Sequence, residues 1–363
     1  MATAIDVAVI GAGVTGLASA WAIAATGRSV CILERHSKAG LDTSTHNSGV
    51  IHAGLYYPKG SLKARLCVEG RERLYAFCES YGVPHARCGK LVVARDGEEA
   101  GRLRALKAAG EANGVAGLEL VDRAFIRERE PEAEGLEALF VPVSGIVDAD
   151  AVVRTLLRLG ETLGVAFLPA APLRSASIEA EGIRLVTERE DILAAQVVNA
   201  AGLYADEVSQ LLQGERFTIH PCRGEYAELA PAKRPMVRGL IYPLPHAHGL
   251  GVHFVKTLHG AVWLGPTVRF QARKDDYEGN RLPIEAFLEP ARQLLPSLTL
   301  DDLRLSGSGI RAKLHGPDTP FADFLIRRDR VNPRIIQASG IESPGLTACL
   351  AVGHLVNEIA ASF

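Results

Sequence analysis

The sequence predicts a mixed α/β protein with two domains, one built on a parallel sheet and the other on an antiparallel sheet. A β-branched run, a glycine-rich turn and an Ala/Leu-rich helix follow one another over residues 5–27. The same succession of strand, small-residue turn and helix returns at 194–212 and 334–363. Between these two segments, residues 216–304 carry several short strands with alternating polarity, which is typical of an antiparallel sheet.

Composition limits the kinds of protein this chain can be. With 363 residues, 47% hydrophobic and 23% charged, it can bury a core of two domains or one large composite unit. A net charge of −2 provides no field for nucleic acid, so we expect no nucleic-acid partner. The six cysteines form no C-x-x-C pair, which predicts reduced, buried thiols, no disulfide and no metal site.

The apolar stretch over residues 5–27 is long enough to be compared with a signal peptide or a membrane span. No Lys or Arg precedes it, Asp6 interrupts it, and its glycines have a regular spacing. No other segment approaches a spanning run. We therefore expect no transmembrane segment and a cytoplasmic location.

The first turn contains a complete G-x-G-x-x-G motif formed by Gly11, Gly13 and Gly16. Gly11 allows the turn, Gly13 allows the backbone to approach a pyrophosphate, and Gly16 allows close packing of helix on strand. A second strand ends at Glu34, 18 residues after the last glycine, where a carboxylate can accept hydrogen bonds from a ribose. The motif predicts a dinucleotide site but does not separate FAD from NAD.

Further elements follow in the order expected of such a fold. Residues 61–82 have apolar positions at helical spacing, with Ser61 as a candidate N-cap. A strand at 89–95 and a charged helix after it indicate an excursion out of the nucleotide domain. Residues 148–168 return to helix and strand, and the turn at 199–202 has the small residues of a second nucleotide-binding wall.

The last helix has a distinctive start. Ser343 directly precedes Pro344, the arrangement expected of an N-cap followed by proline in the first turn. Small residues surround this start, so the N-terminus of the helix should face a ligand.

These segments together resemble the D-amino-acid-oxidase-like (DAO) superfamily of FAD-dependent oxidoreductases, and within it the L-2-hydroxyglutarate dehydrogenase/oxidase family. The resemblance covers nearly the whole chain, and residues 46–70 are its most specific part. Its carriers are GAGVTG, HNSGVIHAGLYYPKGSLKARLCVEG, CGKLVVA, NAAGLYAD, RGEY, LIYPLP, LGVHF, VWLGPT, GIRAKL and GIESPGLTACLAVG.

The resemblance implies a Rossmann-like FAD-binding domain of the DAO type and a discontinuous antiparallel-sheet substrate domain. The FAD domain would consist of residues 1–88, 146–215 and 305–363, and the substrate domain of residues 89–145 and 216–304. Some relatives attach flavin to a cysteine beyond the position of Arg311, but this chain has none there, so FAD should be bound non-covalently. Attachment to His315 is the alternative.

Motif and resemblance together predict the residues that contact FAD. His46 should help to shape the cofactor loop, and the start of the last helix should lie at the flavin pyrimidine edge, where N–H groups stabilise negative charge. The predicted contacts are Gly11, Gly13, Val14, Thr15, Gly16, Glu34, Arg35, Thr43, Ser44, Thr45, His46, Asn47, Ser48, Gly49, Leu173, Ala200, Ala201, Gly202, Gly309, Arg311, Gly340, Ile341, Glu342, Ser343, Gly345, Leu346 and Thr347.

Oxidation of a 2-hydroxy acid requires hydride departure from C2 to flavin N5, removal of the hydroxyl proton and a cation for the carboxylate. His52 and His253 are the candidate bases, and either could instead be a substrate ligand or a structural histidine. Arg311 matches the carboxylate-binding arginine of related amino-acid oxidases; its alternative is an ordinary ion pair. Four further residues are candidates for substrate binding: Tyr57, Lys63, Arg223 and Tyr242.

The resulting hypothesis is an FAD-dependent enzyme that converts L-2-hydroxyglutarate, or a similar short 2-hydroxy (di)carboxylic acid, to the 2-oxo acid. The alternatives are an amine oxidase of the glycine or D-amino-acid type, a non-catalytic FAD-binding protein and an NAD-dependent dehydrogenase. A quinone, an electron carrier or oxygen could accept the electrons. A quinone would require peripheral contact at the inner face of the membrane, for which the sequence has no amphipathic anchor.

Overall fold

The computed structural model describes residues 3–245 and 251–363, so Leu250, the first residue of the LGVHF motif, lies outside the described residues. In chain order, the elements up to residue 199 are β1 (Thr3–Ile10), α1 (Val14–Ala24), β2 (Val30–Leu33), β3 (Val50–Ile51), α2 (Leu62–Tyr81), β4 (His85–Ala86), β5 (Lys90–Ala94), α3 (Gly97–Ala112), β6 (Glu119–Asp122), α4 (Arg123–Arg129), β7 (Glu137–Val141), β8 (Gly145–Val147), α5 (Ala149–Thr162), β9 (Ala166–Leu168), β10 (Ser175–Ile178), β11 (Ile183–Val186) and β12 (Asp191–Asn199). After them come α6 (Ala205–Leu211), β13 (His220–Leu229), β14 (Leu240–Pro243), β15 (His253–Lys256), β16 (Val262–Gly265), β17 (Arg269–Phe270), α7 (Glu285–Arg292), β18 (Leu303–Lys313), β19 (Leu325–Arg328), β20 (Ile335–Ser339) and α8 (Gly345–Ala361).

A parallel sheet forms from the strands that the sequence predicts for the nucleotide domain. Its parallel part runs β9, β2, β1, β12, β20, and three further strands extend it in antiparallel directions. The middle strands are apolar on both faces: one set of their side chains packs with α1, α5 and α8, and the other packs with Val208 and Leu212 at α6. The prediction of a Rossmann-like domain is confirmed.

A second sheet has nine strands and is antiparallel except where β5 runs parallel to β14. Its strand order is β17, β13, β16, β15, β14, β5, β7, β6, with β18 beside β13. Most of β18, residues 305–313, lies in the predicted FAD domain, and the strand pairs with β13 from Leu303 to Lys313. The strand that carries Arg311 therefore belongs to the second sheet. The division into domains stays a prediction.

The helices α1, α2 and α8, which pack beside the parallel sheet, contact one another closely through glycines. A Cβ on Gly353 of α8 would lie 2.5 Å from the carbonyl oxygen of Ala18 in α1. A Cβ on Gly70 of α2 would lie 2.6 Å from Cα of Ala348 in α8. Backbones that approach this closely leave no room for a side chain, so both positions require glycine.

The predicted N-cap residue is correct for α2 and wrong by one residue for α8. Ser61 caps α2 by accepting a hydrogen bond from the N–H of Ala64, as expected. The N-cap of α8 is Pro344, which makes no side-chain cap, so the prediction that Ser343 caps this helix is wrong. The Ser343 hydroxyl lies instead 3.3 Å from Nε2 of His52.

The cysteines are all free, with Cys88 half-buried and the other five buried. Over residues 3–245 and 251–363, no helix has the length and apolar character needed to cross a membrane. Within the same ranges, no cluster of His, Cys, Asp and Glu side chains is placed to hold a metal ion.

Candidate active site

A cavity of about 890 Å³ extends from the carboxyl ends of β1 and β2 to the inner face of the second sheet. Most of the predicted site residues line it. They are Gly11, Gly13, Val14, Thr15, Glu34, Arg35, Thr43, Ser44, His46, Asn47, Ser48, His52, Tyr57, Lys63, Leu173, Ala200, Ala201, Gly202, Tyr242, His253, Gly309, Arg311, Ile341, Glu342, Ser343, Gly345, Leu346 and Thr347. Five predicted residues are absent from the wall, namely Gly16, Thr45, Gly49, Arg223 and Gly340.

The glycine turn brings three backbone segments together at one end of the cavity. Gly11 has a φ of +101°, and a Cβ there would lie 2.6 Å from the carbonyl oxygen of Ala200. A Cβ on Gly13 would lie 2.8 Å from Oγ of Ser44. Gly16 is behind the turn, where a Cβ would collide with the carbonyl oxygen of Gly11. This position explains why Gly16 contributes packing rather than a cavity surface.

The Glu34 carboxylate is buried beside this turn. One oxygen accepts the N–H of Ala12 at 2.8 Å and the other accepts the N–H of His36 at 2.8 Å. Each carboxylate oxygen has a second lone pair, so Glu34 keeps acceptor capacity for a hydroxyl group in the cavity.

The loop over residues 42–49 is held by its own polar side chains. The amide of Asn47 donates to the carbonyl oxygens of Thr43 and Ser44, while its oxygen accepts the N–H of Gly49. The Thr45 hydroxyl donates to the carbonyl oxygen of Gly40. Thr45 and Gly49 thus fix the shape of the loop, and their neighbours line the cavity.

His46 and His52 differ in their surroundings. His46 is exposed, and its ring lies 4.7 Å from the ring of Tyr277. The Nδ1 atom of His52 is sealed from solvent and has no partner among the described residues, while the backbone N–H of His52 donates to the Thr347 hydroxyl at 3.0 Å. Burial, with a smaller contribution from the Lys90 charge, lowers the pKa of His52 to about 3.

His253 lies on β15 with its ring stacked on that of Tyr242 at 3.8 Å. Its Nδ1 is 3.1 Å from the carbonyl oxygen of Gly251, which can only accept a hydrogen bond. Nδ1 therefore carries a hydrogen, and Nε2 keeps a lone pair when the ring is neutral. Burial lowers the pKa of His253 to about 3, so the ring is neutral at physiological pH.

Arg311 projects from β18 into the cavity. Both terminal nitrogens donate to the carbonyl oxygen of Thr267 at 3.2 Å, and no carboxylate in the described part of the chain pairs with them. A Cβ on Gly224, in the adjacent strand β13, would lie 2.7 Å from Nη2 of Arg311. The glycine gives the guanidinium its space, and the ordinary ion pair that was its alternative does not form.

Lys63 already has a carboxylate partner. Its ammonium lies 2.8 Å from one oxygen of Glu342, and the ammonium of Lys313 lies 2.8 Å from the other. Burial acts to raise the pKa of Glu342, but the two ammonium groups outweigh it and the pKa is lowered. Lys63 and Lys313 therefore share one carboxylate within the protein.

Arg223 is not in the cavity, contrary to the prediction that it meets a substrate carboxylate. It ion-pairs with Glu225 at 2.9 Å, and both side chains are fully buried. Successive side chains of a strand point to opposite faces, so Gly224 and Tyr226 of the same strand line the cavity while Arg223 points away. Arg223 therefore stabilises the sheet.

The sequence predictions missed Lys90 and Tyr56. Tyr56 lines the cavity, and Lys90 lies behind it and donates a hydrogen bond to its hydroxyl at 3.1 Å. The ammonium of Lys90 also lies 4.7 Å from the ring of Tyr56 and 4.6 Å from that of Tyr242. A lysine at the start of the apolar strand KLVVA is the sequence signal that could have drawn attention to this position.

The donors around the cavity fit an FAD. The N-termini of α1 and α8 both reach its wall, so a positive helix end faces the same space from each. The N-cap residue of neither helix supplies a side-chain cap, although the N–H of Val14 in α1 donates to the Ser44 hydroxyl. Gly11 and Gly13 have no side chain that would block a pyrophosphate from approaching the backbone. The carboxylate of Glu34 can accept hydrogen bonds from a ribose. The α8 N-terminus would face the flavin.

The comparison with known families agrees with this geometry. Residues 6–359 match the DAO family, described as FAD dependent oxidoreductase. A mitochondrial L-2-hydroxyglutarate dehydrogenase from Arabidopsis thaliana is 36% identical, and the match covers 98% of this chain and 83% of the relative. An L-2-hydroxyglutarate dehydrogenase from Salmonella houtenae is 32% identical, with 98% and 93% covered.

Solved structures of low sequence identity share the fold. L-α-glycerophosphate oxidase from Mycoplasma pneumoniae, with FAD bound, superposes with a TM-score of 0.91 at 24% identity, covering 99% of this chain and 95% of that one. Glycine oxidase from Geobacillus kaustophilus gives 0.84 at 20% identity, with 99% and 95% covered. The chain belongs to the DAO family of FAD-dependent oxidoreductases, within which it groups with the L-2-hydroxyglutarate dehydrogenases.

Proposed function

We propose that this chain oxidises L-2-hydroxyglutarate to 2-oxoglutarate with FAD as the oxidant. The names of its full-length relatives support this substrate. The observation that carries the chemistry is the pairing of a neutral histidine, His253, with an uncompensated cation, Arg311, in the wall of one cavity. A 2-hydroxy acid needs a proton acceptor at its hydroxyl and a positive charge at its carboxylate.

Arg311 is proposed to bind the C1 carboxylate. Its planar guanidinium can donate two parallel hydrogen bonds to a carboxylate, which fixes the orientation of C2 as well as the position of the acid. FAD, when bound, supplies the acceptor for the hydride that leaves C2. The C2–O bond becomes a carbonyl as the hydroxyl proton passes to a base.

His253 is proposed to be that base. The carbonyl of Gly251 holds its Nδ1–H, and Nε2 has no hydrogen-bond partner in the described part of the chain. A neutral imidazole with a fixed tautomer is ready to accept a proton without first losing one.

His52 is proposed to be a positioning residue instead. Its Nδ1 is sealed in the protein, and its Nε2 faces the Ser343 hydroxyl at 3.3 Å, next to the start of α8. The backbone N–H of His52 donates a hydrogen bond to the hydroxyl of Thr347 in the first turn of that helix. His52 thus connects the segment after β3 by hydrogen bonds to the start of α8, the helix end that would face the flavin.

Variants at the two histidines separate these roles. In His253→Asn, anaerobic flavin reduction by L-2-hydroxyglutarate should slow about 100- to 10,000-fold, the usual loss of a general base. His52→Asn should slow it less, and His354→Asn, at an exposed position of α8, should not change it. Stopped-flow absorbance gives the rates and the FAD content. A larger loss in His52→Asn at full FAD content would reverse the assignment.

A substrate panel tests the proposed function against its alternatives. The holoenzyme is assayed with a dye acceptor and L- and D-2-hydroxyglutarate, lactate, malate and glycine. We expect the highest kcat/KM with L-2-hydroxyglutarate. Preference for glycine or a D-amino acid would identify an amine oxidase instead. A flavin that no compound reduces would indicate a non-catalytic protein, and nicotinamide-dependent activity without flavin would indicate an NAD-dependent dehydrogenase.

The electron acceptor and the location stay predictions. Oxygen, a quinone and an electron carrier are distinguished by the reoxidation rate of the reduced holoenzyme with each. Cell fractionation with and without high salt distinguishes a cytoplasmic protein from one held peripherally at the inner face of a membrane.

A further inference from the structure

Lys90 is a charge without a counter-charge. Its side chain is 1% exposed, and no carboxylate among residues 3–245 and 251–363 contributes to its electrostatic environment. A buried ammonium that lacks an anionic partner is costly, so such groups are rare unless they are paired or serve a function. Its only hydrogen-bond partner in the described residues is the hydroxyl of Tyr56.

The Tyr56 hydroxyl connects Lys90 to the cavity. It accepts the hydrogen bond from Lys90, and burial raises its pKa, so the phenol keeps its own hydrogen. That hydrogen is free to point away from Lys90. Tyr56 lines the cavity, so an acceptor there can receive it. The neighbouring hydroxyl of Tyr242 is buried and has no partner in the described structure either.

Two cations that lack a carboxylate partner in the described residues, Lys90 and Arg311, lie near His253. The charges of both Lys90 and Arg311 act on this histidine, which places it within electrostatic range of each. Lys63, one of the candidates for substrate binding, already ion-pairs with Glu342, which it shares with Lys313. A substrate with one carboxylate would leave one of the two cations unmatched, whereas a dicarboxylate matches both.

We propose that Lys90 is the counter-charge for the second carboxylate of the substrate and acts on it through the hydroxyl of Tyr56. The ammonium donates to the phenol oxygen, and the phenol O–H donates to the carboxylate at C5. Lys90 is thus a positioning residue that selects dicarboxylic over monocarboxylic acids. The inference rests on the proposed function and names the feature that sets its substrate class.

The groups that face Lys90 make its titration observable. They are Tyr56 from the loop after His52, Tyr242 from β14, Cys67 from α2, and the two histidines His52 and His253. Burial raises the pKa of Cys67 to about 12 and lowers that of both histidines to about 3, and the tyrosine pKa values are raised. Burial lowers the pKa of Lys90 to about 7, so in this group only Lys90 titrates near neutrality.

A bound carboxylate favours the charged form of Lys90 and raises its pKa. Dicarboxylate affinity should therefore be full below pH 7 and fall up to about tenfold per pH unit above it, because binding then requires proton uptake. A monocarboxylate that occupies only Arg311 should show no such fall.

The test uses two acids that cannot be oxidised at C2, glutarate and pentanoate. Each is titrated into the holoenzyme between pH 6 and 9, and binding is followed by the change in flavin absorbance. In Lys90→Met, glutarate affinity at pH 6 should fall about 30-fold or more. Pentanoate affinity should change less than about threefold, and the pH dependence of glutarate binding should disappear. Lys59→Met, at an exposed lysine outside the cavity, should behave like the unmodified protein.

Tyr56→Phe is the second variant, because it removes the relay and leaves the lysine in place. It should weaken glutarate binding selectively, by a smaller factor than Lys90→Met. An equal loss for glutarate and pentanoate, or an unchanged pH dependence in Lys90→Met, would overturn the inference. Failure of the proposed function looks different: L-2-hydroxyglutarate would not reduce the flavin, while glutarate would still bind in a Lys90-dependent way.

Discussion

Burial sets the charge of four titratable side chains that line or back the cavity. It lowers the pKa of both His52 and His253 to about 3 and that of Lys90 to about 7, whereas it raises the pKa of Cys67 to about 12. At neutral pH the histidines are neutral and the cysteine is a thiol. The base that the chemistry requires is therefore present in its active form, and no carboxylate among the described residues tunes its pKa.

The pH profile at acidic pH tests the state of His253. The neutral ring is present above its pKa of about 3 and is lost only below it, so kcat/KM with L-2-hydroxyglutarate should not decline between pH 7 and pH 5. A histidine with the ordinary pKa of 6.5 would lose about tenfold per pH unit in the lower part of this range. Steady-state rates with a dye acceptor give kcat/KM at each pH. A decline centred near pH 6.5 would contradict the buried, neutral base.

At the scale of elements, the cavity depends on close approaches between backbones. The strand pair β13 and β18 places Arg311 opposite Cys222 and its guanidinium beside Gly224, and α8 packs on α1 and α2 through glycines. Gly309 of β18 lies against the cofactor loop, because a Cβ there would meet the carbonyl oxygen of His46 at 2.0 Å. The glycines set the distances between layers, and those distances set the width of the site.

Two helical glycines give a matched pair of substitutions. Gly353→Ala puts a Cβ into the α8–α1 contact, and overpacking of this kind should lower the free energy of unfolding by about 1–3 kcal/mol. Gly101→Ala lies in the interior of α3 with open space around it, and should raise that free energy by about 0.4–1 kcal/mol. Urea unfolding followed by circular dichroism measures both. Equal effects of the two substitutions would show that α8 can move away from α1.

The sequence is sufficient to predict most helices and strands, but it predicts less well which way individual side chains point. Glycine spacing predicts the β1–α1 unit, FAD as the cofactor follows from the family resemblance, and both are confirmed. Arg223 was misassigned because the strand pattern does not say which face of β13 meets the cavity. Lys90 was missed because lysine is normally exposed, and only the packing of β5 against β14 shows that its charge is buried.

At the scale of the whole molecule, the cavity joins two sheets that are assembled from separate stretches of the chain. Its wall combines the ends of β1 and β2 with residues from β13, β15 and β18. A cofactor bound there contacts both sheets at once. FAD should therefore stabilise the fold as well as supply its chemistry.

Removal of FAD should lower the midpoint of thermal unfolding. With free FAD at about 1,000 times its Kd, binding adds about 4 kcal/mol to the stability of the folded state. Tryptophan fluorescence during heating, with and without added FAD, measures the shift. In Glu34→Gln the same FAD concentration should give a smaller shift, because the uncharged amide is a weaker acceptor for a ribose. An unchanged midpoint in a preparation that demonstrably binds FAD would contradict the cavity as its site.

The oxidation of L-2-hydroxyglutarate is tested most directly by anaerobic titration of the purified holoenzyme. An equimolar amount of L-2-hydroxyglutarate should bleach the flavin absorbance completely and yield an equimolar amount of 2-oxoglutarate, and the D-enantiomer should leave the flavin oxidised. Flavin that stays oxidised in excess L-2-hydroxyglutarate, or that both enantiomers reduce equally, would contradict the proposed reaction.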